Sequence, residues 1–142
     1  LMRIELGYPE PSLERQLLLG RDRRDLLVSL APALTPQQLL RLQGEVPRVH
    51  ASDALLDYVQ AIALHTRQSS EFEAGLSPRA VIGLLRAAQA WALMHAHPGV
   101  LPEDVQAVLP SVAGHRLAPR ESSRFRDAGQ VGRHVLEAVP VP

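Results

Sequence analysis

Arg79 is the residue whose type and position best suit binding chemistry, because it stands at the start of the longest helical pattern, residues 75–97. Ser77 is a good N-cap, and Pro78 suits the first helical position, where a missing N–H costs nothing. Arg79 then falls in the first turn, where the helix dipole favours anions over cations. Such a guanidinium beside free N–H groups can clamp a phosphate. The alternative is an arginine that points into water.

Other clusters of polar residues show no coherent chemistry. His95 and His97 are two positions apart, so a helix places them on different faces, unlike the i, i+4 pair of a zinc protease. They predict a polar helix end, and no metal site is expected. No Gly-x-Ser-x-Gly motif occurs. The acidic pair Glu103-Asp104 suits the start of a helix. We therefore predict no catalytic residue within this chain.

Composition excludes several classes of function. All 15 basic residues are arginine, so the chain has no P-loop lysine and no lysine for Schiff-base chemistry. The 15 acidic residues balance them, which argues against a nucleic-acid or anionic-membrane partner and against an arginine-rich DNA reader. Cysteine is absent, so disulfides and thiolate metal sites are excluded.

Two features of the sequence lead us to expect a cytoplasmic protein. No apolar run approaches 18 residues, and no signal peptide is visible. The chain opens at Leu1 directly on an apolar stretch, so we expect it to be an excised part of a longer protein.

The elements that must position Arg79 are mostly helical. Residues 1–6 alternate apolar and polar side chains, which predicts a short strand that needs a partner. A charged link is predicted at 20–25, an irregular segment at 26–34 and a polar loop at 118–127. The helices are predicted at about 11–20, 35–46, 53–67, 75–97, 102–113 and 128–138. The fold class is therefore all-α, a bundle of about five to six helices with a short edge strand.

The helical stripes also predict the core. In the 75–97 helix the stripe contains Val81, Leu84, Leu85, Ala88 and either Trp91 or Ala92. Further apolar residues cover much of the rest, so burial on several sides is expected, and they are Ala80, Ile82, Ala87, Ala90, Leu93 and Met94. In the preceding helix it contains Leu55, Leu56, Val59, Ile62 and Ala63. Thr35 is expected to cap the 35–46 helix, whose buried side is supplied by Leu39, Leu40 and Leu42.

Five stretches, in order along the chain, resemble the C-terminal part of the MoxR-type AAA+ ATPases. They are Met-Arg-Ile-Glu-Leu-Gly-Tyr-Pro at 2–9, Ser-Pro-Arg-Ala at 77–80, the helix at 84–93, Pro-Glu-Asp-Val at 102–105 and His-Arg-Leu at 115–117. The resemblance covers nearly all of residues 1–117 and, more weakly, the tail to residue 142. It implies that residues 1–9 are the end of an AAA+ core strand with its connector, and that residues 10–142 are the helical AAA+ lid.

The resemblance also implies a role for the full-length parent. That protein would bind ATP and Mg, hydrolyse ATP, and remodel partner proteins in a chaperone-like way. The implied partners are the upstream AAA+ core, neighbouring subunits of a ring that is usually hexameric, and a von Willebrand factor A-type protein. The P-loop, the Walker B acid, the sensor 1 residue and the arginine finger belong to the upstream region, so no cofactor is expected on the fragment itself.

Within this chain the resemblance singles out Arg79. It resembles the sensor 2 arginine, which implies that it reaches the γ-phosphate of ATP held between core and lid, with Ser77 and Pro78 close to the nucleotide. The chain departs from the family in Met-His-Ala-His-Pro-Gly at 94–99, where a basic or glycine-containing turn is commoner. The alternative function is a stand-alone helical protein-interaction module without nucleotide binding.

Overall fold

The computed structural model describes residues 2–20, 23–120, 125 and 127–141, and the chain is helical over most of them. Leu1, the first residue of the predicted strand, and residues 121–124 and 126 of the predicted polar loop lie outside the described residues. Within the described part, seven α-helices and one 3-10 turn occur in the order α1 Pro11–Leu19, α2 Arg23–Ser29, α3 Pro36–Glu45, the 3-10 turn Val46–Arg48, α4 Asp53–Gln68, α5 Pro78–Met94, α6 Pro102–Ala113 and α7 Ala128–Ala138. The all-α class is confirmed.

The predicted edge strand is wrong for the residues that the structure describes. Residues 2–6 form no strand, and the backbone N–H of Arg3 donates instead to the Ser111 carbonyl of α6 at 2.8 Å. A strand needs a neighbour to satisfy its backbone groups, and the described residues supply only an isolated bridge between Phe72 and Pro119. The alternating pattern of residues 2–6 therefore does not produce a strand in the described part of the chain.

Helix α2 is the element that the sequence pattern missed. The sequence predicts a charged link and an irregular segment over residues 23–29, yet these residues form a helix of seven residues with Asp25 in its first turn. Two turns are too short for a 3.6-residue stripe to repeat, so periodicity gives no signal there. The predicted helix count of five to six rises to seven for this reason.

The described residues separate into two compact units, residues 2–3 with 43–141 and residues 4–42. In the larger unit α5 packs most extensively on α6, α6 packs on α7, and α4 contacts all three. One apolar core joins them, with fully enclosed side chains from each helix, namely Tyr58, Ile62, Leu84, Val105, Leu109, Val112, Val131 and Val135.

Local caps set where several helices begin. The Ser52 hydroxyl accepts from the Leu55 N–H at 3.3 Å, which starts α4 as the sequence predicts. Thr35 and Gln38 form a reciprocal capping box at α3, with bonds of 3.2 Å and 2.8 Å. The Asp127 carboxylate accepts from the Gln130 N–H at 2.7 Å and starts α7.

The buried face of α5 is only partly the predicted stripe. Leu84, Ala88 and Ala92 are buried as expected, but Leu85 is half-buried. Ile82 and Met94 are exposed, so their predicted burial is wrong. The buried side of α5 instead contains the small residues Ala80, Gly83 and Ala87. Hydrophobicity alone predicts burial of the large apolar side chains, whereas close approach of two helices favours small residues at their contact.

Two other core predictions need correction. On α4, Leu56 is exposed, and Tyr58 and Thr66 are buried in addition to the predicted residues. On α3, Leu39, Leu40 and Leu42 are all exposed, and the helix buries no residue. Residues 4–42 are too few to enclose a core of their own, so an amphipathic stripe there does not produce burial.

Candidate functional site

The first turn of α5 holds the three residues that the sequence predicted as a site. The Ser77 hydroxyl accepts from the Ala80 N–H at 3.2 Å, and the Ser77 carbonyl accepts from the Val81 N–H at 3.0 Å. Pro78 has no N–H to offer. The backbone N–H of Arg79 is therefore the first-turn donor that has no acceptor in the described part of the chain.

The Arg79 side chain is exposed, and it has no ion-pair or hydrogen-bond partner among the residues that the structure describes. The first turn of α5 carries no acidic residue, whereas α4 begins with Asp53 and α6 begins with Glu103 and Asp104. A cation at the positive end of a helix dipole is unfavourable unless an anion joins it. The guanidinium and the backbone N–H of Arg79 are thus two donors at the same helix start, where an anion is favoured.

A groove between α4 and α5 lies beside this helix start and was not predicted. It has a volume of about 450 Å³, and its lining includes Pro78 together with apolar residues of both helices. The lining residues are Leu56, Asp57, Val59, Gln60, Ala63, Arg67, Pro78, Val81, Ile82 and Leu85. The sequence predicts Leu56 and Ile82 in the core, whereas in the structure both are exposed and line the groove.

His95 and His97 lie next to each other just beyond the end of α5. Their ring centroids are 5.8 Å apart because α5 ends at Met94 and Ala96 adopts a left-handed φ of 55°. His95 stacks on Trp91 with centroids 4.7 Å apart, and the His97 Nδ1 lies 2.9 Å from Asp104 Oδ1. The predicted separation onto different faces is therefore wrong, although both residues belong to a polar helix end as expected.

The described residues contain no group of three or more His, Cys, Asp or Glu side chains placed to hold a metal ion. They also include no helix that is long and apolar enough to cross a lipid bilayer.

Comparison with known proteins assigns this arrangement to a family. The family model described as the AAA lid domain matches residues 64–135, which include all of α6 and all of α5 with Arg79 in its first turn. The chain belongs to the AAA lid domain family. The match covers half of the chain, from the end of α4 to Val135 of α7.

The chain is also similar to two curated relatives and to one solved structure. The chain is 33% identical to YeaC of Bacillus subtilis over 144 residues, covering all of this chain and 45% of YeaC. It is 34% identical to the chaperone MoxR1 of Mycobacterium tuberculosis over 127 residues, covering 82% of this chain and 33% of MoxR1. A crystal structure of a candidate ATPase from Cytophaga hutchinsonii superposes with a TM-score of 0.78 at 24% identity, covering 99% of this chain and 46% of that one.

The lid therefore resembles that of a MoxR-like AAA+ ATPase, and the solved structure shows the same fold. The chain spans less than half the length of each of these proteins.

Proposed function

We propose that this lid senses the γ-phosphate of ATP through Arg79 and couples that contact to the motion of a MoxR-like AAA+ ATPase. The observation that carries the proposal is the exposed Arg79 guanidinium at the positive end of α5, beside a backbone N–H that has no acceptor within the described residues. A phosphate suits both donors, because the helix dipole and the guanidinium each favour an anion. The MoxR-type resemblance supports ATP as its source.

The residues of this chain fit a phosphate but not the hydrolytic machinery. The sequence has no lysine, so a P-loop has to come from another part of the protein. The described residues also offer no acidic cluster for magnesium. We therefore assign ATP hydrolysis and the magnesium ligands to the upstream AAA+ core, and a sensing role to the lid.

The packing of α5 supports the coupling part of the proposal. Ser77 and Pro78 fix where α5 begins, and α5 packs more extensively against α6 than against any other helix of the described part. Close-packed cores deform little, so a pull on the first turn of α5 displaces the helices as a body. Ser77 and Pro78 lie near the nucleotide in this proposal, where they present Arg79 rather than bind phosphate themselves.

Substitution of Arg79 tests the sensing role. In the full-length protein, Arg79→Ala should reduce ATP binding or hydrolysis about ten- to a hundredfold, since a charge-assisted hydrogen bond contributes roughly 1.5–3 kcal/mol. Arg133→Ala is the matched control, because it removes the same charge from an exposed position on α7. ATP affinity and turnover that both stay at the wild-type level in Arg79→Ala would rule out the sensor.

Partners of the whole protein follow from the same proposal. The lid would contact its own AAA+ core and neighbouring subunits of a ring, expected to be a hexamer, and the assembly would remodel client proteins with a von Willebrand factor A-type partner. The relative named chaperone MoxR1 supports the remodelling role. The mass of the full-length protein in solution with ATP tests the ring directly.

A helical interaction module without nucleotide binding is the second candidate. The observation that favours it is the apolar groove between α4 and α5, with Leu56 and Ile82 exposed at its surface. The residues upstream of this chain separate the two functions, since a Gly-x-x-x-x-Gly-Lys-Ser/Thr motif there supports the ATPase lid.

A further inference from the structure

The loop that leads into α5 is held to α4 at one residue, Leu76. The Leu76 N–H donates to the Thr66 hydroxyl at 3.1 Å, and the Leu76 carbonyl accepts from the Arg67 Nε at 2.9 Å. Two adjacent residues of α4 thus bind both backbone polar groups of a single residue. We call this arrangement, formed by Thr66, Arg67 and the backbone of Leu76, the Leu76 clamp.

The Thr66 hydroxyl is enclosed and fully used. Thr66 is 0% exposed, and its hydroxyl donates to the Ala63 carbonyl at 2.8 Å while it accepts from Leu76. A buried N–H with no acceptor is unfavourable, so the Leu76 amide depends on this one oxygen. The Leu76 side chain is itself buried in the core, which holds the residue from its other side.

Gly75 lets the loop approach α4 closely enough for the clamp to form. A Cβ atom at residue 75 would lie 2.5 Å from the Arg67 Cα, far inside van der Waals contact. Only glycine fits there without displacing the backbone of the loop. The clamp is therefore built from a close backbone approach as well as from two hydrogen bonds.

The position of the clamp gives it a consequence for Arg79. Leu76 is the residue immediately before the N-cap Ser77, and Arg79 follows three positions after Leu76. Fixing both polar groups of Leu76 fixes where the helix begins and hence the direction in which its first turn presents Arg79. Neither Thr66 nor Arg67 needs to touch the ligand for this effect.

We propose that Thr66 and Arg67 are positioning residues that orient the phosphate-sensing Arg79 through the Leu76 clamp. The inference rests on the proposed function, because it assigns these residues a role in the same site. It adds two residues of α4 to a site otherwise confined to the first turn of α5. Loss of the clamp leaves Arg79 present but free to adopt orientations that miss the phosphate, which weakens an interaction that depends on geometry.

The test uses two variants of the full-length protein that break the clamp from different sides. Thr66→Val removes the hydroxyl at nearly constant volume, and Thr66→Ser restores it. Arg67→Met keeps an unbranched stem and removes the donor to Leu76, at an exposed position where folding is little affected. Arg133→Met controls for the lost charge, and Val112→Ala controls for lost core stability at a buried residue of α6, which contributes no residue to the clamp.

Two readouts separate positioning from stability. Hydrogen exchange of the segment 70–81 reports the clamp itself, and the protection of the Leu76 amide should fall about tenfold in Thr66→Val. ATP turnover reports Arg79, and it should fall in Thr66→Val and Arg67→Met but recover in Thr66→Ser. Arg133→Met and Val112→Ala should keep wild-type turnover below their melting temperatures.

Combination with Arg79→Ala distinguishes the possible results. If the clamp acts through Arg79, Thr66→Val causes no further loss of turnover in the Arg79→Ala background. Losses that multiply, or wild-type turnover in a protein whose Leu76 amide has lost protection, overturn the positioning role and leave the proposed function standing. Wild-type ATP affinity together with wild-type turnover in the Arg79→Ala single variant overturns the proposed function, and the positioning role with it.

Discussion

Ala96 closes α5 in a backbone conformation that suits glycine. Its φ is 55°, its N–H donates to the Leu93 carbonyl at 3.2 Å, and the His97 N–H donates to the Ala92 carbonyl at 3.0 Å. This pair of bonds is the Schellman motif, in which the left-handed residue is usually glycine. An alanine there pays a steric cost because its Cβ approaches the backbone.

Ala96→Gly should therefore stabilise the lid by about 0.5–1 kcal/mol, since relief of the left-handed strain exceeds the added freedom of the unfolded chain. Ala90→Gly, in the interior of the same helix, should destabilise it by about 1 kcal/mol. Denaturant midpoints of the two variants measure both effects. A fall in the midpoint of Ala96→Gly would contradict the strain at Ala96.

The residues of the candidate site differ in how far sequence predicts them. Ser77 and Pro78 were predicted at the start of α5 because a cap acts over three residues, and the Ser77 to Ala80 bond confirms the cap. Arg79 was found because it breaks the rule that first turns favour acids. Thr66 and Arg67 carry no such signal, because each is hydrogen-bonded to Leu76, which lies ten positions after Thr66 and nine after Arg67.

Helices α6 and α7 meet at a contact that leaves no room for a side chain. A Cβ atom on Gly132 of α7 would lie 2.4 Å from the Pro110 Cα of α6. Val131 and Val135 are buried on either side of Gly132, so the contact lies within the core. The distance between the two helix axes therefore depends on this glycine.

Gly132→Ala should separate α6 from α7 and destabilise the lid by about 1–3 kcal/mol, because an extra methyl group in a packed contact forces the backbones apart. Gly44→Ala is the control within α3, where a Cβ atom would meet nothing within 4 Å. That variant should be neutral or stabilising by up to about 1 kcal/mol through helix propensity. Thermal melts compare them, and equal melting temperatures would show that the α6–α7 contact can expand freely.

At the scale of the molecule, burial is distributed unequally between the two units. The buried residues of the described chain all fall between residues 55 and 139, whereas α1 and α3 bury none. Leu17, Leu18 and Leu19 of α1 are exposed although they form an apolar run. Residues 4–42 therefore have helical structure with little burial to stabilise it.

This contrast predicts how the chain opens. Amide hydrogens of α1 should exchange through local opening at low free energy, while those of α5 and α6 should require opening close to global unfolding, because protection follows burial and packing. Hydrogen exchange at increasing denaturant measures both groups in one sample. Equal protection of Pro11–Leu19 and Pro78–Met94 would refute the unequal distribution of stability.

The sequence by itself determined the features that depend on neighbours along the chain. Helix starts at Ser52 and Ser77, the stop of α1 before Gly20 and the misplaced charge of Arg79 all follow from interactions over one helical turn. The order of five short stretches, in the same way, was sufficient to indicate the lid family that the comparisons show.

Tertiary structure decided everything that joins residues far apart. It selected the small residues of α5 for its buried face, and it bound Thr66 and Arg67 to Leu76. Periodicity cannot rank two faces of a helix that are both apolar, nor predict which loop a buried hydroxyl meets. The Arg79 charge that we propose as the phosphate sensor is thus visible in the sequence, whereas the contacts proposed to orient it arise only when α4 and α5 pack together.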